Sequence, residues 1–165
     1  SFDRAMKTYL QKGYSREWIN QRLKSIEVRK ELTDEWQERE MKEGLEYGIL
    51  TDEITKAWAD RSVKDYKKFK GLKKENLRDN MTNLELVLNM LAEASTTEIS
   101  KKKKPKGLEN NKQVARAGGV VARKARLEIE KQTGESVITN RSAKILKNKQ
   151  KLKYKKEKHR LRTEP

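Results

Sequence analysis

The spacing of hydrophobic positions predicts helices over most of the first 100 residues. Phe2, Met6 and Tyr9 recur at helical intervals, and Gly13 follows them where a helix-ending glycine is common. The chain starts at Ser1 without a methionine and already within this helical pattern. We therefore expect it to be a fragment of a longer protein.

A second helix is predicted from Ser15 to about Leu32, with Trp18 and Ile19 on its buried face. Thr33 can cap a third helix, because a threonine hydroxyl accepts hydrogen bonds from the first free amides of a helix. That third helix would carry an acidic surface, which we interpret as a solvated face.

Two short helical patterns follow between Thr51 and Phe69, and Ser62 with Asp65 forms a predicted capping box at their junction. A pair of short helices joined by a tight turn is compatible with a helix-turn-helix. Its second helix would then present four lysines to nucleic acid: Lys64, Lys67, Lys68 and Lys70. Ordinary helix packing with these lysines in solvent is the alternative.

The strongest helix start in the chain is at Thr82, where Glu85 completes a capping box. The helix is predicted to run to about Ala94 and to be the centre of the domain. Its expected buried stripe is formed by leucine and valine: Leu84, Val87, Leu88 and Leu91.

A run of lysines with both strong helix breakers, at 101–108, predicts a basic linker. Beyond it, residues 110–133 resume helical periodicity. One predicted stripe is apolar, formed by Val114, Gly118, Val121, Ala125 and Ile129. A second stripe is mostly basic, formed by Lys112, Arg116, Gly119, Arg123 and Arg126.

Gly118 and Gly119 need an explanation, because each glycine costs about 1 kcal/mol relative to alanine inside a helix. With the neighbouring alanines they make a surface almost free of side chains, which lets another backbone approach closely. The approaching backbone is either a neighbouring helix, which is the commoner use of small residues, or a nucleic-acid strand whose phosphate lies between Arg116 and Arg123.

The last part of the chain changes character again. A short extended piece at 136–139 is predicted, and Val137 and Ile138 would anchor it to the rest of the protein. From Asn140 onward the chain carries 11 Lys or Arg against Glu157 and Glu164. This arm is predicted to be either a lone helix or a disordered segment that orders on nucleic acid, with a solvated or membrane-surface tail as the alternative.

Composition supports an all-α fold, a small multi-helix domain followed by a basic helical or extended C-terminal region. Of the 165 residues 33% are hydrophobic and 40% charged, and strand-forming clusters are scarce. Residues 1–100 hold 19 Lys or Arg and 19 Asp or Glu, whereas residues 101–165 hold 22 and 6. We therefore predict four parts: a helical core domain at 1–100, the linker at 101–108, a Gly-Gly helix and extended anchor at 109–139, and a basic arm at 140–165.

Several function classes lack the residues they need. There is no cysteine, and His159 is the single histidine, which excludes a thiolate metal site and a multi-histidine site within one chain. A Ser-His-acid triad around His159 is not supported by its position among lysines near the end. Glu40 and Lys42 have the spacing of one nuclease motif, but on a predicted acidic helix rather than on strands. We expect no enzymatic activity and no cofactor, and the longest apolar stretch is too short for a membrane span of about 20 residues.

Two blocks of this sequence resemble a known family. The first begins with Tyr66, continues through 70–74 (KGLKK), and includes 79–86 (DNMTNLEL); the second covers 113–119 (QVARAGG) and 131–138 (KQTGESVI). Both resemble the C-terminal half of DNA-damage-inducible protein D and of prophage antirepressors with a BRO-type N-terminal domain. The resemblance extends over about residues 13–146. It implies a non-enzymatic regulator of bacterial or prophage DNA transactions, in the cytoplasm and associated with the nucleoid, whose BRO domain is absent from this chain.

The charge distribution and the resemblance together predict a DNA-associated module that binds mainly phosphates of double-stranded DNA with little sequence preference. The candidate contacts on the Gly-Gly helix are Lys112, Arg116, Arg123, Lys124 and Arg126, with Gly118 and Gly119 allowing close backbone approach. The candidates in the arm are Arg141, Lys144, Lys147, Lys149, Lys151, Lys153, Lys155 and Lys156. In the alternative, the chain binds a repressor or a recombination protein and the basic tail is a non-specific tether.

Overall fold

The computed structural model describes residues 2–141, 153 and 155–163. Within residues 2–141 the chain forms six α-helices and a 3₁₀ turn at Arg78–Asn80. The α-helices are α1 (Phe2–Gln11), α2 (Arg16–Glu38), α3 (Leu45–Ala59), α4 (Val63–Phe69), α5 (Asn83–Lys103) and α6 (Gly107–Thr133). The predicted all-α, multi-helix fold is confirmed.

Side-chain caps fix the beginnings of three helices, as the sequence predicts. Ser15 accepts a hydrogen bond from Trp18 N at the start of α2, and Ser62 accepts one from Asp65 N at the start of α4. At the start of α5 the capping box is complete, because Thr82 Oγ1 accepts from Glu85 N while Glu85 accepts from Thr82 N.

Helix α2 runs through Thr33, and the predicted third helix starting there is wrong. The Thr33 hydroxyl donates to Lys30 O, a bond within the continuing helix, instead of accepting from a free amide. Leu32 and Trp36 are both buried, so the apolar face of α2 continues past the predicted break. The next helix, α3, starts only at Leu45.

Helix α5 is central, as predicted, but it buries a different face and extends to Lys103. Leu88 is buried, whereas Leu84, Val87 and Leu91 are 37–39% exposed. The buried face instead contains many polar side chains: Glu85, Asn89, Glu93, Thr96, Thr97 and Ser100. Glu85 and Glu93 have charged partners from other elements, described below, whereas Thr96 and Thr97 donate to carbonyl oxygens one turn earlier in α5.

Helix α6 packs against both α3 and α5 rather than forming a separate region after a linker. A Cβ atom added at Gly118 would lie 2.7 Å from the backbone nitrogen of Thr96 in α5. One added at Gly119 would lie 2.7 Å from the carbonyl oxygen of Ile54 in α3. The two glycines therefore serve close helix packing on two sides, which is the first of the two predicted explanations.

The boundaries predicted at 100 and 108 do not separate folded units in the structure. The first falls inside α5, and the segment between α5 and α6 turns through Lys104, which has a left-handed φ of 49°, to the buried Pro105. After α6 ends at Gly134, Val137 and Ile138 are buried in the main hydrophobic core, as predicted for the anchor. The helices α1 to α6 and this anchor therefore belong to one globule.

Candidate nucleic-acid interface

The basic stripe predicted on α6 faces acidic side chains on α3 and at its C-terminal end. Glu53 lies in α3, and Asp60 is the residue with a left-handed backbone that follows the last residue of that helix. Arg116 Nε is 2.8 Å from Glu53 Oε2, and Arg123 forms an ion pair with Asp60. Both arginines are partly exposed, but each has a carboxylate partner, which reduces the positive potential that they present to a phosphate.

Arg126 has to be removed from the predicted interface. Its side chain is 9% exposed. The guanidinium donates to Trp58 O at 2.8 Å, to Asp60 Oδ2 at 2.7 Å and to Glu130 Oε1 at 3.0 Å. Arg126 thus joins the end of α3 to α6 and is not available to an external ligand.

The remaining predicted contacts on α6 are isolated. Lys112 lies 3.4 Å from Glu109 Oε1. Lys124 is exposed, and it forms no ion pair with any residue in the described ranges. One paired and one unpaired lysine do not make a basic face, so the structure does not concentrate positive charge on α6.

Among the described residues, a group of unpaired positive charges lies beside α4, as another does where α5 ends, at Lys102, Lys103, Lys104 and Lys106. Four lysines line a cleft of about 930 Å³ between α3 and α4: Lys64, Lys67, Lys68 and Lys73. We call these four residues the lysine rim. None of them forms an ion pair within the part of the chain that the structure describes. Lys64, Lys68 and Lys73 are exposed, and Lys67 is partly buried. Asp52, the acidic residue lining this cleft, accepts a hydrogen bond from Val63 N at 2.8 Å.

Local sequence explains why α4 presents these lysines. Ser62 starts the helix, and Tyr66 is its buried anchor with no exposed surface. Lys64, Lys67 and Lys68 lie three and four residues apart, so they occupy one side of the helix away from Tyr66. The sequence already marked Lys64, Lys67 and Lys68 in the helix-turn-helix alternative, whereas Lys73 was not singled out.

Lys70, the fourth lysine of that alternative, is buried and has a structural role. Its side chain and that of Glu85 are both 0% exposed, and Lys70 Nζ lies 2.8 Å from Glu85 Oε1. The ammonium also donates to the carbonyl oxygens of Thr139, at 3.1 Å, and Arg141, at 2.8 Å. Tyr66 OH donates to the same carboxylate, and burial together with the adjacent Glu85 raises the pKa of Tyr66 well above its ordinary value.

These bonds place the start of the arm next to α4. Arg141 is exposed, and its backbone is held by a lysine in the turn of chain that follows α4. Lys153, Lys155 and Lys156 are exposed too, and residues 155–163 are helical. Four further predicted contacts, Lys144, Lys147, Lys149 and Lys151, lie outside the described residues.

Other kinds of site find no support in the described residues. No helix among them is both long and apolar enough to cross a membrane. No cluster of three or more acidic or histidine side chains in residues 2–141, 153 and 155–163 could hold a metal ion. Comparisons with protein-family models, curated proteins and solved structures find no match for this chain, so its function has to be inferred from the residues described above.

Proposed function

We propose that this chain is a non-enzymatic nucleic-acid-binding module that contacts DNA phosphates through the lysine rim and the basic arm. The observation that carries the proposal is the unpaired charge of the lysine rim, on the helix next to which the arm starts at Arg141. Lysine side chains of this kind attract the DNA backbone without reading its sequence. The resemblance to DNA-damage-inducible protein D and BRO-type antirepressors agrees with such a role and assigns it to bacterial or prophage gene regulation.

The interface differs from the one that the sequence predicts, because it moves from α6 to α4. Arg116 and Arg123 have carboxylate partners, and an ion pair that already exists has to be broken or shared before a phosphate can gain the full charge. The lysine rim has no such competitor in the described part of the chain. Binding is therefore expected to depend on α4 and the arm and only weakly on α6.

A matched pair of double variants tests this assignment. Lys64→Gln with Lys68→Gln removes two positive charges from the lysine rim, and Arg116→Gln with Arg123→Gln removes two from α6. Fluorescence anisotropy with a labelled duplex would give the dissociation constant of each variant over a series of NaCl concentrations. For the wild type we expect the logarithm of the dissociation constant to rise with the logarithm of the salt concentration with a slope of about 5 to 9, as for about 6 to 10 phosphate contacts.

The α4 variant should bind more weakly and lower that slope by about 2, since each lost contact removes about 0.9. The α6 variant should stay close to the wild type. Equal losses in both variants would refute the assignment to α4. Absence of wild-type binding at about 50 mM salt would refute nucleic-acid binding through phosphates altogether.

A second candidate function is protein binding, which is favoured by exposed apolar side chains on α5 and α6. Leu84, Val87 and Leu91 follow one another along one face of α5, each 37–39% exposed, and Val121 of α6 is 41% exposed. A repressor or recombination protein would cover this strip, with the arm as a tether to DNA.

Two variants distinguish the two candidate functions. Deletion of 142–165 should abolish most DNA binding and leave partner binding intact, whereas Leu91→Glu should do the reverse. The deletion starts at 142 so that Arg141 O remains as an acceptor for Lys70. A bacterial two-hybrid selection supplies the partner assay, and a partner that is lost with the arm but retained by Leu91→Glu would contradict this second function.

A further inference from the structure

A second cavity adjoins the cleft and is lined by three arginines. It has a volume of about 460 Å³, and its walls include Arg22 and Arg29 from α2 and Arg78 from the 3₁₀ turn. Arg29 and Lys67 line both this cavity and the cleft, so the two spaces adjoin. The lysine rim and the three arginines therefore line adjoining spaces.

The charges around this cavity do not balance. Arg22 Nε is 2.9 Å from Asp79 Oδ1, while Arg29 Nη1 and Arg78 Nη2 are both 2.8 Å from the same oxygen, Oε2 of Glu93. Three guanidinium groups thus share two carboxylates, so each arginine has an acidic partner but the cluster keeps a net charge of +1. Such an excess is costly in a site with little water, and burial accordingly lowers the pKa of Arg78 even though Glu93 opposes the shift.

The cavity wall also carries an unused hydrogen-bond donor. Asn89 is 4% exposed and lines the cavity, and its Oδ1 accepts from Trp58 Nε1 at 3.3 Å. Asn89 Nδ2 has no acceptor within the described chain, and Glu93 Oε1, in the same cluster, is a buried acceptor without a donor there. Buried donors are normally satisfied, so an unpartnered amide beside an arginine cluster with a net positive charge is suited to an oxygen of an anionic ligand.

We propose that this cavity binds the phosphate group of a phosphate monoester, with Arg22, Arg29, Arg78 and Asn89 as its donors. Guanidinium groups offer paired N–H donors that match phosphate oxygens, and a volume of this order is typical of small-molecule sites. The lysine rim lines the adjoining cleft, into which the rest of a nucleotide or of a strand would extend. The site does not depend on duplex binding by the lysine rim, and the two proposals can fail separately.

The test is isothermal titration calorimetry of the full chain with inorganic phosphate and with a nucleoside 5′-monophosphate, at an ionic strength kept constant with NaCl. Asn89→Asp keeps an acceptor for Trp58 Nε1 but replaces the unused donor with a negatively charged oxygen. Asn20→Asp, at an exposed position of α2, makes the same change of net charge elsewhere and is the control. We expect saturable binding by the wild type and by Asn20→Asp, and at least a tenfold loss of affinity in Asn89→Asp.

Thermal unfolding shows whether the variant is a fair test. Asn89→Asp should unfold cooperatively without phosphate, because its carboxylate compensates the excess positive charge. If it does not, Arg22→Gln takes its place, since Asp79 would keep the hydrogen bond from Tyr9 OH. Arg22→Gln should also lose at least tenfold in affinity.

Competition experiments then identify the source of the phosphate. Displacement of the mononucleotide by a 5′-phosphorylated oligonucleotide, and not by the 5′-hydroxyl form, would identify a strand end as the ligand. Displacement by free phosphate but by neither oligonucleotide would identify a small phosphate monoester. The proposal is overturned if the wild type shows no saturable binding, or if Asn89→Asp and Asn20→Asp bind equally well.

Discussion

Replacing Gly118 with alanine should destabilise the protein, although the same change stabilises most helices. The added Cβ would lie 1.9 Å from Thr96 Oγ1, 2.7 Å from Thr96 N and 2.8 Å from Thr96 Cα. The hydroxyl can rotate away, but the backbone atoms cannot. To lengthen 2.7 Å to the 3.4 Å of an ordinary contact, α6 would have to move from α5 by about 0.7 Å.

That displacement affects the packing of the whole helix, because Ala115 and Ala122 are fully buried on the same helix. Overpacking of a rigid core costs about 1 to 3 kcal/mol, and we expect the upper end when backbone has to move. Alanine returns about 1 kcal/mol through its higher helix propensity. The expected net loss in the free energy of unfolding is therefore about 2 kcal/mol.

Gly48 provides the matched control. It also lies inside a helix, α3, but a Cβ atom there would meet nothing within 4 Å. Gly48→Ala should gain about 0.5–1 kcal/mol. Urea unfolding followed by tryptophan fluorescence and circular dichroism would compare the two, with similar m-values expected. If Gly118→Ala proved as stable as Gly48→Ala, the close contact between α6 and α5 would be refuted.

Three further predictions concern the buried polar groups. Burial raises the pKa of Tyr14 and Tyr66 above the ordinary 10.0, so the folded state keeps protons that the unfolded state releases. The free energy of unfolding should therefore fall above about pH 10, by up to about 1.4 kcal/mol per pH unit for each tyrosine. Constant stability in urea unfolding above about pH 10 would contradict this prediction. Lys70→Met should cost about 3–5 kcal/mol by leaving the Glu85 carboxylate buried without its counter-charge, and an unchanged urea midpoint would count against the buried pair. Thr82→Ala should cost about 1 kcal/mol through loss of the α5 cap, measured by thermal and urea unfolding.

Features that depend on neighbours in the sequence could be predicted. The Thr82–Glu85 capping box, the Ser62 cap and the helix end at Gly134 are set within three or four residues, and all three are present. Helical periodicity likewise predicted the all-α fold class. The small residues at Gly118 indicated a close approach, although not the identity of the approaching helix.

Features that depend on distant partners could not be predicted. The buried face of α5 contains Glu93, although a pattern of hydrophobic positions assigns a glutamate to solvent. The pattern does not show that Arg29 and Arg78, from other elements, pair with this carboxylate. The charge of α6 was misjudged for the same reason. Arg116 meets Glu53, which precedes it by 63 positions, so charge counted along the sequence does not give charge at the surface.

The bonds of Lys70 also limit how far the chain can be shortened from its C-terminal side. An ammonium group has three N–H donors, and those of Lys70 reach Glu85, Thr139 O and Arg141 O. A chain cut before residue 139 would leave two of these donors unsatisfied next to the buried Glu85 carboxylate. A chain cut after Arg141 would keep all three bonds. A shortened chain therefore has to include Arg141 to keep these bonds, a requirement imposed by a side chain 71 positions earlier.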